Sequence, residues 1–264
     1  MLEELCVIVK KAGDIILSAD MSKTRLEQKS SPGDFVTAFD IAVQEMLREE
    51  LKRLLPEARF IGEESSREEI DTKGYCFIVD PIDGTANFAW DYRHSAVSIA
   101  LAYNEKIIMG LVYNPYLDEL FYAEAGKGAF LNGNRIWVSK RRLKDGLVCF
   151  GSSPYDKTKA EATFSLAGFL YKKALDVRRS GSAALDLCYI ASGRCDLFYE
   201  MSLSPWDYAA ASLIVTEADG VITNMRGERL QFREKSSVLA GGRNAYHDFW
   251  RVYGEFRYRR TGDD

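Results

Sequence analysis

Residues Tyr75 to Phe88 read YCFIVDPIDGTANF, an apolar run that breaks off at two aspartates. Cys76-Phe77-Ile78-Val79 is short and β-prone, as a buried strand should be. The strand is expected to end abruptly in Asp80-Pro81-Ile82-Asp83-Gly84-Thr85. Two carboxylates three residues apart at the end of a buried strand repel each other and resist burial, a penalty that a cation between them removes. Pro81 fixes one turn dihedral and Gly84 permits an unusual one, so both acids can aim at a common point. All-oxygen ligands suit a hard ion such as Mg2+ or Mn2+. If Gly84-Thr85 opens a helix, its free N–H groups face an anion, most naturally phosphate. An acid-rich turn that merely caps a strand is the competing reading of a lone DxxD, so the remaining ligands must come from elsewhere in the chain.

The chain around this turn has an ordinary globular make-up. Its 264 residues, 47% hydrophobic and 28% charged, suffice for one large domain or two intimate halves. A net charge of −4 argues against a broad nucleic-acid-binding surface. Lys140-Arg141-Arg142 and Arg257 to Arg260 remain as local basic stretches and read as a solvated face and tail. The five cysteines (Cys6, Cys76, Cys149, Cys188, Cys195) show no CxxC or zinc-like spacing, and most lie in apolar surroundings. They read as small core residues of a reducing compartment. The N-terminal MLEELCVIVKKAGDIIL breaks its apolar pattern with acids and lysines, so it reads as neither signal peptide nor membrane span, and a cytoplasmic location is expected.

Upstream of the turn, Leu2, Leu5, Cys6, Val9, Ala12, Ile16 and Leu17 fall at helical spacing. Lys29 to Asp34 is a loop by composition and leads through Phe35-Val36-Thr37 to Asp40. A second amphipathic helix is predicted from Ile41 to Leu55, ended by Pro56. Phe60-Ile61 then runs into Gly62-Glu63-Glu64-Ser65, a strand end like that at Asp80. Glu63 is either surface charge or a further ligand, or a base for a metal-held water. Downstream, Ser95 to Tyr103, Lys106 to Tyr113 and Glu119 to Ala123 form an antiparallel meander, with another short strand between Gly126-Lys127-Gly128 and Asn132-Gly133-Asn134. The charged segment Lys140 to Asp145 marks a boundary between an N-terminal half, residues 1–140, and a C-terminal half, residues 141–264.

The second half alternates. Strands are predicted at Leu147 to Phe150, Ala174 to Arg178, Asp196 to Tyr199 ending at Glu200, Val221-Ile222 and Val238 to Ala240. Helices are predicted at Lys157 to Lys173, Ser182 to Ser192, Asp207 to Ala218 and Asn244 to Phe256. Layered sheets and helices follow from this order. Asp207, at the start of an apolar small-residue helix, reads as an N-cap or as a metal ligand framed by Trp206.

Taken together, GEES (Gly62 to Ser65), DPIDGTANF (Asp80 to Phe88), RRSGSAALDLCYIASGRCDLFYE (Arg178 to Glu200) and WDYAAASLIVTEADG (Trp206 to Gly220) resemble the inositol monophosphatase family, within the Mg2+-dependent, lithium-sensitive phosphatase superfamily. The resemblance spans nearly the whole chain and implies an α+β fold, an α/β/α/β/α sandwich of the sugar-phosphatase type with mixed, largely antiparallel sheets. It implies metal ligation by Glu63, Asp80, the Ile82 carbonyl, Asp83 and Asp207, with Asp40 near a weaker metal position through water. Thr85, with Glu63 and Asp40 nearby, resembles the group that orients the nucleophilic water. The Gly84 and Thr85 N–H groups would hold phosphate, Gly181, Ser182 and Ala183 would form the substrate-side loop, and Glu200 would bond sugar hydroxyls. Lys29 to Asp34 resembles the family's mobile segment that closes over the metals, and a homodimer is implied. Departures from the family pattern are Ala211 and Asp219-Gly220, where glycines are usual, and the lack of a proline in Ala89 to His94.

The chemistry agrees. A phosphate monoester dianion repels hydroxide, and two or three Mg2+ ions held by clustered carboxylates can neutralise charge, activate water and stabilise the leaving oxygen. The chain has only two histidines, His94 and His247, and His94 reads as structural or surface. The leading expectation is hydrolysis of inositol 1-phosphate or a related small-molecule polyol phosphate. Fructose 1,6-bisphosphatase or another sugar or nucleotide phosphatase is the alternative. A regulatory binding protein on the same fold is the second alternative, disfavoured because every proposed acid is present.

Overall fold

The computed structural model describes residues 1–19, 27–28, 35–64 and 72–261. The loop expected at Lys29 to Asp34 and the last residue of GEES, Ser65, lie outside them.

The chain opens with α1 (Leu2–Leu17), which buries Leu5, Ile8, Val9, Ala12 and Ile16 along one stripe, as the helical spacing requires. β1 (Glu27–Gln28) and β2 (Phe35–Val36) pair antiparallel ahead of α2 (Ala38–Leu54). Thr37 Oγ1 accepts the N–H groups of Phe39 and Asp40 at 3.2 and 3.3 Å, so α2 starts three residues before the predicted Ile41. Asp40 therefore lies inside its first turn.

β3 (Arg59–Gly62) runs parallel to β4 (Tyr75–Asp83), and after α3 (Thr85–Ala89) the chain folds into a meander. Its strands are β5 (Ala96–Tyr103), β6 (Lys106–Asn114), β7 (Glu119–Glu124), β8 (Gly128–Leu131) and β9 (Asn134–Ile136). The seven strands of this sheet stand in sequence order, antiparallel from β4 onward. β9, three residues long, is too short to leave a period in the sequence.

The second half contributes β10 (Leu147–Phe150), α4 (Ala160–Tyr171), β11 (Asp176–Arg178), α5 (Ala183–Ala191) and β12 (Leu197–Leu203). It continues through α6 (Pro205–Glu217), β13 (Val221–Thr223), β14 (Ser236–Gly241) and α7 (Arg243–Thr261). Its five strands are ordered β11-β10-β12-β14-β13, with β10 parallel to both neighbours and β14 antiparallel to both of its own.

Three apolar cores hold five layers together, the middle one filling both interfaces of the central helices. α1 and α2 cover one face of the seven-stranded sheet through Phe77, Val79, Ile99 and Leu111. The opposite face, through Cys76, Ile78, Ala100 and Val112, meets α5 and α6. Those helices also cover the near face of the five-stranded sheet through Phe198, Val238 and Ala240, while α4 and α7 pack on its far face against Val148, Tyr199 and Leu239. This is the expected α/β/α/β/α sandwich. The two middle helices touch sheets on both sides, which explains why α6 is buried along Tyr208 to Val215 instead of carrying a single apolar stripe. Among the described residues no helix is long and apolar enough to cross a membrane.

Three boundaries differ from expectation in ways that matter for function. β4 does not stop at Asp80 but continues to Asp83, because a bulge keeps it paired with β5. β12 continues past Tyr199 to Leu203, which places Glu200 within the strand instead of at its end. α6 begins at Pro205, after Ser204, so Asp207 is its third residue and not its N-cap.

Candidate active site

The bulge in β4 builds the centre of the site. Asp80 pairs with Ser98 and Asp83 with Ala96, so three steps along β4 match two along β5. A regular pleat would send residues 80 and 83 to opposite faces, and the one extra residue brings them to the same side. The Asp80 carboxylate is fixed by the Ile82 N–H, which donates to Oδ1 at 3.0 Å. Gly84 then takes a φ of 94°, a left-handed conformation that reverses the chain into α3.

Asp207 arrives from the other side on the first turn of α6. Its Oδ2 accepts the Ser204 N–H at 2.7 Å, which fixes the side chain at the helix start. Ligand atoms of Asp80, Asp83 and Asp207 all lie within 4.8 Å of one another. Burial raises the Asp80 pKa well above the usual range, and the charges of Glu63, Asp83, Asp207 and Asp40 raise it further. Asp207 is likewise raised by burial, then by Glu63 and Asp83. Burial lifts Asp83 to about 6, opposed by hydrogen bonds from the Ser182 hydroxyl and from the Ala184 and Ala183 N–H groups. Three carboxylates brought together, two buried and one half-buried, form a hard-oxygen donor set that fits a divalent cation.

Glu63 sits half-buried in the turn after β3, its N–H donating to the Val79 carbonyl at 3.1 Å. Its charge is the leading electrostatic influence on both Asp80 and Asp207, which places it beside the trio. Buried Asp40 divides its two oxygens. Oδ2 accepts the Thr37 N–H at 2.8 Å and the Thr37 hydroxyl at 2.6 Å, while Oδ1 faces the Thr85 hydroxyl at 3.2 Å. That hydroxyl also reaches the Ile82 carbonyl at 3.2 Å, so its single proton is shared between two acceptors.

The substrate-side loop meets this turn directly. Ser182 Oγ donates to Asp83 Oδ2, and the Ala184 N–H reaches the same oxygen at 2.9 Å. Ser182 is also the N-cap of α5, accepting the Leu185 N–H at 3.3 Å. Gly84 lies against Gly181, whose carbonyl would stand 3.1 Å from a Cβ at position 84. Glu200 forms a separate wall. Its Oε1 accepts the Ser153 N–H at 2.7 Å, and its carboxyl lies flat over Gly151, where any Cβ would overlap it. Burial raises Glu200 to about 7.

Among the described residues the structure thus brings Asp80, Asp83 and Asp207 together, Asp40 and Ile82 against Thr85, Gly181 against Gly84, and Ser182 against Asp83 beside Ala183, with the charges of Glu63 and Glu200 acting on Asp207. Sequence reasoning missed the residues that hold them. Gln44, buried on the core face of α2, accepts the Glu64 N–H at 2.8 Å. Asn87 donates from Nδ2 to the carbonyls of His94 at 2.7 Å and Ser180 at 3.0 Å, which ties the metal-side turn to the substrate loop. A polar residue on an apolar helix face was the available signal for Gln44. Asn87 left none, because its partners are backbone atoms. His94 takes part through that carbonyl, and burial lowers the pKa of its ring.

Comparison with known proteins gives the same constellation a context. A family model described as the inositol monophosphatase family matches residues 1–252. The chain is 38% identical over 235 residues to the Nus factor SuhB of Escherichia coli, covering 88% of this chain and 87% of that one. It is 36% identical over 242 residues to inositol monophosphatase 1 of Homo sapiens, covering 89% and 87%. An IMPase structure from Thermotoga maritima superposes with a TM-score of 0.86 at 30% identity, covering 98% of each chain.

Proposed function

The chain belongs to the inositol monophosphatase family, whose members are metal-dependent phosphomonoesterases, and on that premise we propose that it hydrolyses inositol 1-phosphate to inositol and phosphate. The observation that carries the reading is the convergence of Asp80, Asp83 and Asp207 within 4.8 Å. Two or three Mg2+ ions are assigned to Glu63, Asp80, the Ile82 carbonyl, Asp83 and Asp207. When bound, such ions supply the positive charge that the ester's phosphate and the departing alkoxide require.

The residues of the chain do the positioning. Asp40 draws the Thr85 hydroxyl proton toward itself, which leaves Thr85 Oγ1 lone pairs to accept a hydrogen bond from a water. That water is aimed in line with the ester, and Glu63 receives its proton as the new P–O bond forms and the ester P–O bond breaks, while the departing alkoxide takes a proton from solvent to give the free alcohol. The N–H groups of Gly84 and Thr85 hold the phosphate oxygens. Ser182 and Ala184 keep Asp83 from rotating away. Glu200 accepts from hydroxyls of the alcohol half, and its placement by Ser153 supports a hydroxyl-rich substrate.

Phosphate release from inositol 1-phosphate, with Mg2+ and then with EDTA, tests the reading. Release that depends on Mg2+ is expected, and release that persists in EDTA would contradict it. Similarity to a relative named a Nus factor supports a second reading, a regulatory binding protein on this fold. Absence of turnover on inositol 1-phosphate and on a wider panel of phosphate esters would favour that one.

A further inference from the structure

The first turns of α2 carry two polar side chains on a face that is otherwise apolar. Asp40 and Gln44 are four residues apart, so they lie one above the other along the helix, and both are buried. Asp40 reaches the Thr85 hydroxyl, just past the end of β4. One turn on, Gln44 reaches the chain just past β3, where its Oε1 accepts the Glu64 N–H at 2.8 Å. A further turn on, the Arg48 guanidinium lies over the Phe60 ring of β3, 4.4 Å from its centre. Asp40 serves the reaction through Thr85, and the turn that Gln44 holds carries Glu63.

Glu63 is pinned from both sides. Its own N–H donates to the Val79 carbonyl at 3.1 Å, which continues the parallel pairing of Gly62 with Val79. The next N–H along, that of Glu64, is the one Gln44 takes. The two bonds fix the peptide units on either side of the Glu63 Cα, one to β4 and one to α2. Gln44 comes so close that a Cβ at position 62 would overlap its Oε1, so the turn admits the amide only because Gly62 has no side chain. A residue that merely filled the core here would be apolar, as Val43, Leu47 and Leu51 are. An oxygen at this height on α2 serves the turn, and the turn presents the Glu63 carboxylate, whose charge acts on both Asp80 and Asp207.

We infer that Gln44 is a positioning residue for Glu63, holding its carboxylate toward Asp80, Asp207 and the attacking water by accepting the Glu64 N–H. On the phosphatase reading, on which this rests, one face of α2 sets both groups that handle the water, Thr85 through Asp40 and Glu63 through Gln44.

The test measures kcat and KM for inositol 1-phosphate with Mg2+, and Mg2+ binding in the absence of substrate by titration calorimetry, in the intact chain. Gln44→Met keeps the length and loses the amide oxygen. Gln44→Asn keeps the amide but draws it back by one methylene, and Gln44→Glu keeps an oxygen at full length. Gln44→Met and Gln44→Asn should each lower kcat by about tenfold with little change in KM, and should weaken Mg2+ binding by about tenfold. Gln44→Glu should restore both. In a Glu63→Gln background, Gln44→Asn should lower neither kcat nor Mg2+ affinity any further, because its effect runs through Glu63. Should Gln44→Met fail to fold, Gln44→Asn, which leaves the helix face polar, gives the same reading. Variants that lower Tm yet keep wild-type kcat and Mg2+ affinity would overturn the inference and leave Gln44 a structural residue. So would an undiminished loss in the Glu63→Gln background, or a Gln44→Glu as impaired as Gln44→Asn. Wild-type protein without turnover would overturn the phosphatase reading, and the Mg2+ affinities of the variants would still decide the role of Gln44.

Discussion

The trio Asp80, Asp83 and Asp207 and the separate Glu200 are all held by hydrogen bonds from the chain, and they differ in how many carboxylates crowd them. Asp80, Asp83 and Asp207 come from a strand bulge and a helix start; burial raises the pKa of all three, and neighbouring carboxylates, Glu63 foremost, raise Asp80 and Asp207 further. Glu200 stands apart on β12, raised by burial while the Ser153 N–H and Arg179 pull it back toward the charged form. Each acid of the first group also accepts a hydrogen bond from the chain, but three carboxylates within 4.8 Å of one another call for a cation. The second already has its partners in the chain, so it can turn its remaining acceptor capacity toward a ligand. The difference separates the chemistry, which needs metal, from the selection of substrate, which needs only hydrogen bonds.

Asp83→Asn strikes the first group and should have the largest effect. Turnover of any phosphate ester should fall by roughly 100-fold or more, because the carboxylate is assigned to both metal and phosphate positioning. The fold should survive, since the amide oxygen can still accept from Ser182 and Ala184. Binding of Mg2+ at about 100 times its Kd stabilises a folded protein by about 2.7 kcal/mol, and the corresponding rise in Tm should be present in the wild type and in Glu200→Gln but diminished in Asp83→Asn. A full metal-induced rise in Asp83→Asn would break the division between the two groups.

Glu200→Ala strikes the second group. It should reduce kcat/KM for inositol 1-phosphate by about tenfold, mainly through KM, and should spare 4-nitrophenyl phosphate, which has no sugar hydroxyls. Equal loss on both esters would mean that Glu200 belongs with the metal-side acids after all.

The same comparison explains what could be read from the sequence. The metal-side acids were legible because each sits in a compact motif at the edge of an apolar run, Asp80 at the end of one in Ile78-Val79-Asp80 and Asp207 at the start of one in Trp206-Asp207. The layers were legible because β4 to β8 read as short β-prone apolar runs between turn residues, and α5 and α6 as longer apolar, small-residue runs. The bulge between Asp80 and Asp83 was not, since it arises from pairing with β5, which no local pattern encodes. Nor was the wall around Glu200: Gly151, Ser153 and Arg179 are recruited from separate segments by the parallel pairing of β10 with β11 and β12. Asp207 shows the intermediate case. Its place at a helix start was evident, but Pro205 moved the boundary and turned an apparent cap into a first-turn acid.

The pH dependence of stability sharpens the contrast further. Burial raises the Glu200 pKa from 4.5 to about 7, so the folded state holds a proton that the unfolded chain releases between those values. The contribution is full below pH 4.5 and is lost as pH rises through about 7. Its total is roughly 3 kcal/mol. Urea unfolding in EDTA at pH 5 and pH 8 should therefore show a smaller loss of stability in Glu200→Gln than in the wild type. Parallel pH profiles would show that Glu200 is not buried with its proton.

The smallest expected effect concerns a helix start that serves both stability and chemistry. Asp40 and Asp207 each lie in the first turn of a helix and each direct one oxygen to the N–H of the residue before it, Thr37 or Ser204. Asp207 faces Asp80 and Asp83, whereas Asp40 faces the Thr85 hydroxyl. Thr37→Ala removes a hydroxyl that accepts two N–H groups and donates to Asp40 Oδ2 at 2.6 Å. The cap loss should lower stability by about 1 kcal/mol. Held on that side by the Thr37 N–H alone, Asp40 should hold Thr85 less firmly, and kcat should drop by about tenfold with little change in KM or in the metal-induced rise in Tm. Thr37→Ser should restore both stability and kcat, because it keeps the hydroxyl. If Thr37→Ala lowered stability and left kcat untouched, Asp40 would be a helix-start residue alone, and the water-orienting role of Thr85 would have to be supported from Ile82 instead.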